Sequence, residues 1–247
     1  NSYALVPFHI GEERFHARAG ELAALAGKLA RQAVTASGKN VTIAGSLPPL
    51  FGSYRPDLFD PARAAEIARP LIDGQAPYAD LWLAETQSSI AEVRALHALT
   101  ARDRPFWASF TLEDEPPAEP PRLRSGETVA AAVAAALELK LDALLFNCSH
   151  PEAMTAALKT ARATIDAAGS AMRLGVYANA FAAHGADEEA LPANDGLDDI
   201  RADLTPAAYC DWAKRWRDAG ADIIGGCCGV GAAHIAAIAQ WRDAVQP

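Results

Sequence analysis

The feature that most constrains the fold of this chain is its alternation of short apolar segments with longer amphipathic ones. Six apolar segments have the length of buried strands, and each ends in a polar or small residue: residues 41–45, 80–84, 105–110, 143–146, 173–177 and 222–225. Seven segments with helical spacing of their apolar residues lie around and between them: residues 21–37, 61–73, 88–101, 128–140, 151–168, 205–219 and 233–244. Such alternation predicts βα units and a parallel sheet.

The strand ends decide between an open sheet and a closed barrel. Residues with reactive or polar side chains follow most of the predicted strands: Ser46, Glu85 with Thr86, Thr111, Asn147 with Cys148, Tyr177 with Asn179, and Gly226 with Cys227 and Cys228. A barrel gathers such residues at one mouth, whereas an open sheet spreads them along an edge. We therefore predict one α/β domain over residues 1–247, a (β/α)8 TIM-type barrel. Since six strands are fewer than eight, we expect the first strand and part of the second unit to be absent from this chain.

Charge and length limit the possible partners. The 22 Lys and Arg residues against 31 Asp and Glu residues give a formal net charge of −9, which argues against nucleic acid and against an anionic membrane surface. No apolar run reaches the length of a membrane span, and no signal peptide is apparent. Four cysteines in 247 residues are too few for a secreted disulfide scaffold. These observations predict a cytoplasmic protein that acts on small molecules.

Three cysteines predict a metal site. Cys227 and Cys228 follow a strand within the segment Gly-Gly-Cys-Cys-Gly, and Cys148 ends a preceding strand. Three thiolates that meet from two strand ends suit Zn²⁺, and three protein ligands leave a fourth position open, as in catalytic zinc sites. The alternatives are buried apolar cysteines, which is our interpretation of Cys210, and a redox-active dithiol. If His150 were a fourth ligand, the site would be structural.

The same residues resemble the homocysteine S-methyltransferase family. The resemblance rests on Gly-Gly-Cys-Cys-Gly after a strand, on the His234-Ile235 pair beyond it, and on Asn147-Cys148 in an earlier unit. Further segments follow in the family's order: Asn-Ser-Tyr-Ala at residues 1–4, Gly-Ser-Leu at 45–47, Glu-Thr at 85–86 and Tyr-Ala-Asn at 177–179. The chain departs from the family at Ala232 and Ala178, where proline is usual, and the family's first-strand Asp-Gly-Gly motif has no counterpart in this sequence.

The resemblance implies a zinc-dependent (β/α)8 barrel that transfers a methyl group to homocysteine and forms methionine. Carried over, the zinc ligands would be Cys148, Cys227 and Cys228, and Glu85 would bind the ammonium group of the substrate. No catalytic residue is expected beyond the metal site, since the leaving group departs neutral. The remaining candidates for substrate binding are Thr86, Ser46, Asn147, Tyr177, Asn179 and Gly226.

The methyl donor is less constrained than the acceptor. The chain has no cobalamin or folate domain, so a sulfonium donor, S-methylmethionine or S-adenosylmethionine, fits it best. The alternatives are a betaine-dependent enzyme, an enzyme for another small thiol or selenol, and a non-catalytic zinc-binding barrel with four protein ligands.

Overall fold

The computed structural model describes residues 1–182 and 199–245 and alternates helices with strands along the chain. Its strands are β1 (Ala44–Leu47), β2 (Leu81–Gln87), β3 (Phe106–Phe110), β4 (Ala143–Asn147), β5 (Arg173–Tyr177) and β6 (Ile223–Ile224). Its helices are α1 (Pro7–Ile10), α2 (Glu12–Ser37), α3 (Ala64–Gln75), α4 (Ile90–Leu99), α5 (Val129–Glu138), α6 (Pro151–Ala167), α7 (Pro206–Asp218) and α8 (Ala232–Val245). None of these helices is both long enough and apolar enough to cross a membrane.

The six strands form one parallel sheet in the order of the sequence, from β1 to β6. A helix precedes or follows every strand, so the sheet is built from βα units, as predicted. Sequential order in a parallel sheet is the arrangement of a TIM-type barrel, of which six strands form a part. The predicted α/β fold class is confirmed, and the carboxyl ends of all six strands point to the same side.

All the predicted strands and helices are present, several of them with shifted boundaries, and the starts of α2 and β1 moved for identifiable reasons. Helix α2 begins at Glu12 rather than at residue 21, because Phe15 and Ala19 extend the buried stripe that Ala23 and Gly27 continue. Strand β1 begins at Ala44 rather than at residue 41, because pairing with β2 starts there. Val41 and Thr42 ahead of it are exposed, Val41 by 47%, whereas Ile43 is buried.

The composition of two segments that follow strands predicts loops: residues 113–126 are rich in Pro, Glu and Arg, and residues 182–203 are acidic and contain Gly, Pro and Asn. The β3–α5 connection contains only isolated bridges, among them Leu112 with Leu123 and Asp114 with Pro117. Leu123 and Asp114 are nevertheless buried, so this loop is anchored rather than loosely solvated. Most of the second predicted loop, residues 182–203, lies outside the described residues.

Helices α2 and α3 approach each other closely at two glycines. A Cβ atom on Gly74 would lie 2.7 Å from the carbonyl oxygen of Gly20 and 2.9 Å from Cβ of Ala23. A Cβ atom on Gly20 would meet only the carbonyl oxygen of Pro70, at 3.8 Å. The space between the helices is therefore filled on the Gly74 side and open on the Gly20 side.

We expect Gly74→Ala to lower the free energy of unfolding by about 2 kcal/mol, because the added methyl group has to displace backbone atoms. Gly20→Ala is the matched control and should raise it by about 0.5 kcal/mol, since alanine is the better helix former and the methyl group has room. Urea denaturation of the two variants measures both changes. Equal stability of the two variants would contradict this packing.

Candidate metal centre

Three cysteines meet at the carboxyl end of the sheet. Cys148 directly follows β4, and Cys227 and Cys228 lie three and four residues after β6. Strand β5 lies between β4 and β6, and both segments bond to the residues at its end. The backbone N–H of Cys148 donates to the carbonyl oxygen of Tyr177 at 3.3 Å, and that of Cys227 donates to the carbonyl oxygen of Ala178 at 2.9 Å. The end of β5 therefore fixes the distance between the two cysteine segments.

The spacing of the three sulfur atoms suits a single metal ion. The Sγ atoms of Cys148 and Cys227 lie 3.2 Å apart, and each lies 3.9 Å from Sγ of Cys228. All three thiols are free. Two sulfurs bound to one zinc ion at ~2.3 Å with tetrahedral angles lie about 3.8 Å apart. The three thiols could therefore hold a metal ion with little movement.

The backbone around the thiols is unusual in three places. Cys148 has φ of 49°, a left-handed conformation that few non-glycine residues adopt. Gly229 has φ of 75° and turns the chain after the cysteine pair. Gly226 is required for another reason: a Cβ atom there would lie 2.1 Å from Cγ1 of Val230. The glycines on both sides of the cysteine pair thus let the loop fold back on itself.

Three thiols this close cannot all ionise unless a cation joins them. Hydrogen bonds from Cys148 and Cys227 lower the pKa of Cys228 to about 3. Hydrogen bonding to Cys148 and Cys228, together with burial, raises the pKa of Cys227. The hydrogen bond from Cys227 lowers the pKa of Cys148. The hydrogen bond with Cys228 and burial outweigh this effect and raise that pKa to about 12. Without a metal the cluster favours one thiolate, on Cys228.

A tyrosine that the sequence analysis missed contacts the cluster. Tyr54, in the β1–α3 connection, donates its hydroxyl hydrogen bond to Sγ of Cys148 at 3.0 Å. Burial, and then the charge of Cys148, raises the pKa of Tyr54, so the phenol keeps its proton and acts as a donor. The available signal was its place in the loop after a strand whose end carries Ser46, since such loops build the mouth of a barrel.

Glu85 lies at the end of β2 and accepts a short hydrogen bond from the hydroxyl of Ser46. Burial raises the pKa of Glu85, the Ser46 hydrogen bond lowers it, and the charge of Cys228 adds to the rise. Among residues 1–182 and 199–245, no Lys or Arg side chain forms an ion pair with Glu85. Ser46 and Glu85 also line a cavity of about 260 Å³. This carboxylate therefore has room for a cationic group and lacks a cation.

Asn147 and Thr86 connect three strand ends. The side-chain oxygen of Asn147 accepts from the backbone N–H of Thr86 at 3.0 Å and from the hydroxyl of Ser109 at 2.7 Å. Its amide nitrogen donates to Oγ1 of Thr86 at 2.9 Å and lies 4.0 Å from Sγ of Cys227. Thr86 has φ of 63°, and Asn147 satisfies the groups that this conformation turns inward. Both side chains hold the strand ends together, and their contact with a substrate stays a prediction.

Tyr177 and Asn179 lie at the end of β5 and just beyond it, beside the thiols. Burial, and then the charge of Glu85, raises the pKa of Tyr177, and the charges of Cys227 and Cys148 contribute to the rise. The side-chain oxygen of Asn179 is buried and accepts no hydrogen bond from the part of the chain that the structure describes. A buried acceptor without a donor is uncommon in folded proteins, so Asn179 can accept from a bound molecule.

The two histidines near the cysteines have other partners. Nε2 of His150 pairs with Oε1 of Glu115 at 3.3 Å, and His150 is not part of the thiol cluster. His234 accepts from the N–H of Gly231 at its Nδ1 atom and bonds the carbonyl oxygen of Leu204 through Nε2. Neither ring completes a four-ligand site within the described residues.

The fourth cysteine, Cys210, lies apart from this site. Cys210 is buried in α7, and its Sγ atom faces the carbonyl oxygen of Ala237 at 3.7 Å.

A second group of possible metal ligands lies on the surface. Glu12, His16 and Glu66 cluster there, but all three are exposed, and the Arg63 guanidinium pairs with both carboxylates. The thiol cluster is therefore the better metal site among the described residues.

A solved structure of a homocysteine methyltransferase resembles this chain over nearly its whole length. A crystal structure of the homocysteine methyltransferase MmuM from Escherichia coli, in its oxidized form, matches with a TM-score of 0.75 and 25% sequence identity. The match covers 97% of this chain and 77% of that one. A 2,3-dimethylmalate lyase of the PEP mutase/isocitrate lyase superfamily follows, with a TM-score of 0.48, 10% identity, and coverage of 87% of this chain and 66% of the other. That second likeness is too low to support an argument.

Comparison of sequences gives the family. No curated protein sequence matches the chain. The family model described as homocysteine S-methyltransferase matches residues 1–242, almost the whole chain. This match agrees with the structural likeness to MmuM and with the resemblance noted in the sequence. The chain therefore belongs to the homocysteine S-methyltransferase family.

Proposed function

We propose that the protein is a zinc-dependent methyltransferase that methylates the thiol of homocysteine to give methionine. The observation that carries the proposal is the cluster of three thiols with the spacing of zinc ligands, formed by Cys148, Cys227 and Cys228. These three thiolates would hold the zinc ion, which would lower the pKa of the substrate thiol and keep it as a thiolate nucleophile. Membership of the homocysteine S-methyltransferase family supports the reaction type.

The residues of the chain bind and orient the two substrates. Glu85 is a partly buried carboxylate without a cationic partner among the described residues, and the ammonium group of homocysteine supplies one. The unpartnered oxygen of Asn179 offers a second acceptor for the same group. The framework of Asn147, Thr86 and Ser109 holds the strand ends rigid, so that the thiol is presented in line with the methyl group.

The charge of the site favours a cationic methyl donor. The thiol cluster and Glu85 are all anionic when ionised, and they lie close enough for the charge of Cys228 to raise the pKa of Glu85. A sulfonium donor carries a positive charge and leaves as a neutral thioether, so the reaction needs no general acid at the leaving group. The methyl group moves from the donor sulfur to the homocysteine sulfur, and the thiol proton goes to solvent. S-Methylmethionine and S-adenosylmethionine meet this description.

The zinc ligands can be tested by removing one thiol. We expect wild-type protein to bind one Zn²⁺ per chain and Cys227→Ala to lose zinc and methyl transfer together, because two thiolates hold the ion too weakly. Cys210→Ala is the matched control, since Cys210 lies outside the cluster, and it should keep both. Elemental analysis and methionine formation are measured on the same samples. Full methyl transfer by zinc-free Cys227→Ala protein would contradict the proposal.

The role of Glu85 can be tested with a substrate that lacks the ammonium group. Wild-type protein should prefer homocysteine over 4-mercaptobutanoate, and Glu85→Gln should raise the KM for homocysteine by roughly tenfold or more, because a charge-assisted hydrogen bond contributes about 1.5–3 kcal/mol. Activity with 4-mercaptobutanoate should change little. The control is Glu138→Gln, whose carboxylate pairs with Arg94 on the surface. An equal loss with both thiols would show that Glu85 does not bind the ammonium group.

The donor is identified by measuring methionine formation from homocysteine with each candidate separately. We expect turnover with S-methylmethionine or S-adenosylmethionine and little with betaine. Turnover with betaine alone would contradict the proposed donor while leaving the acceptor and the zinc site intact. Zinc binding without turnover of any donor would favour a non-catalytic zinc barrel.

A further inference from the structure

One hydroxyl group outside the proposed ligand set is bonded to a proposed ligand sulfur. Tyr54 donates to Sγ of Cys148 at 3.0 Å. The sulfurs of Cys227 and Cys228 have no hydroxyl donor at this distance among the described residues. The contact therefore distinguishes one thiol of the cluster from the other two.

The backbone of Tyr54 is in a conformation that its surroundings must maintain. Its φ is 63°, and an aromatic residue rarely adopts this left-handed conformation, which costs about 1–3 kcal/mol. The residue before it, Ser53, is buried and bonds the hydroxyl of Tyr3 at 2.7 Å. The hydrogen bond from Tyr3 to Ser53 therefore helps to hold the turn that brings the phenol to Cys148.

The ring of Tyr54 is covered by a cation that is itself held in place. The guanidinium carbon of Arg124 lies 4.5 Å from the centre of the ring, the geometry of a cation–π contact. Nη2 of Arg124 donates to Oδ1 of Asp114 at 2.8 Å, and the Asp114 side chain is 1% exposed. The carboxylate of Asp114 therefore fixes the guanidinium over the phenol.

These contacts close a circuit. The other carboxylate oxygen of Asp114 accepts from the backbone N–H of His150 at 2.8 Å, two residues after Cys148. The circuit runs from Cys148 through Tyr54, Arg124 and Asp114 to His150, and returns along the chain. It joins the β1–α3 and β3–α5 connections to the end of β4, so three separate loops determine where one sulfur lies.

We propose that Tyr54 is a positioning residue of the metal centre, held by Arg124 and Asp114, which orients Cys148 and draws negative charge from its sulfur through the hydroxyl hydrogen bond. The inference rests on the proposed zinc site and adds to it a partner beyond the three ligands. Such partners orient metal ligands and tune how strongly they donate to the ion. A Cys148 sulfur that donates less charge leaves the ion more able to bind the incoming thiol.

The test replaces the phenol by a phenyl ring and measures the metal centre directly. In Tyr54→Phe loaded with Co²⁺, the thiolate-to-cobalt charge-transfer band should move to lower energy, because a hydrogen bond stabilises the sulfur lone pairs and its loss raises them. Zinc affinity, measured by competition with a chromogenic chelator, should fall by about tenfold, because Cys148 loses the contact that orients it toward the ion. Tyr78→Phe makes the same chemical change in a tyrosine that precedes β2 and packs against Gly27, at the opposite end of the sheet from the thiols, and it should leave the band in place.

A second variant tests the support of the phenol. Arg124→Gln removes the cation over the ring while leaving the Tyr54 hydroxyl present, and it should shift the same band partly and in the same direction. Its control is Arg104→Gln, which removes the cation over Trp82, away from the thiols. A charge-transfer band that moves with Arg104→Gln as much as with Arg124→Gln would contradict the proposed role of Arg124 in holding Tyr54.

The outcomes separate this inference from the proposed function. Absence of Zn²⁺ and Co²⁺ binding by wild-type protein would remove the zinc site and the role of Tyr54 together. Normal metal binding by wild-type protein, with an unchanged band and affinity in Tyr54→Phe, would overturn the role of Tyr54 alone. A band shift in Tyr54→Phe but not in Tyr78→Phe supports the inference whatever the enzyme's activity.

Discussion

Three sulfur atoms from two strands meet because β4, β5 and β6 run parallel and in register. Asn147 pairs with Tyr177 across β4 and β5, and Val176 pairs with Ile224 across β5 and β6. The backbone hydrogen bonds continue past the strand ends and secure both cysteine segments to the chain beyond β5. A shift of one residue in either pairing would turn the thiols away from one another. The metal centre therefore depends on sheet register.

Backbone strain gathers around the same place. The described residues include four non-glycine residues with positive φ, and three of them, Tyr54, Thr86 and Cys148, lie at the mouth. Such conformations cost about 1–3 kcal/mol each and persist where the surroundings enforce them. Asn147 supplies the hydrogen bonds that hold Thr86. Strained residues concentrated at one site, with hydrogen bonds that compensate them, are typical of sites organised in advance of binding.

The charges of the site favour the binding of a cation. The three thiols suppress one another's ionisation, and only Cys228 has a lowered pKa. Glu85 lies nearby without a cationic side chain as its partner among the described residues. A metal ion would relieve the repulsion among the thiols, and a substrate ammonium group would pair with the buried carboxylate of Glu85. The proposed substrate, a thiol amino acid, carries one group for each: a thiol for the metal and an ammonium group for Glu85.

The sequence was sufficient for the parts of the structure that periodicity and local motifs encode. The six strands, their parallel order and the three converging cysteines all followed from apolar periodicity and from residues at strand ends. The start of β1 did not, because pairing with β2 rather than hydrophobicity decides where that strand begins.

Contacts between distant loops could not be predicted from the sequence. Tyr54 reaches Cys148 across 94 positions, and nothing local to Tyr54 marks a sulfur as its partner. The place of Asn147 was similarly hidden: its position suggested substrate binding, whereas its side-chain atoms bond Thr86 and Ser109. Both sets of contacts join residues that are distant in the sequence, and the pattern of strands does not predict which side chains meet.

The central claim is that three thiols hold one zinc ion and leave a position for a substrate thiol. X-ray absorption at the zinc edge tests it most directly, on zinc-loaded protein with and without homocysteine. We expect three sulfur neighbours at ~2.3 Å and one lighter atom in the free protein, and four sulfur neighbours once homocysteine is added. A ligand shell that stays the same after homocysteine is added, or one with fewer than three sulfurs at the start, would contradict it.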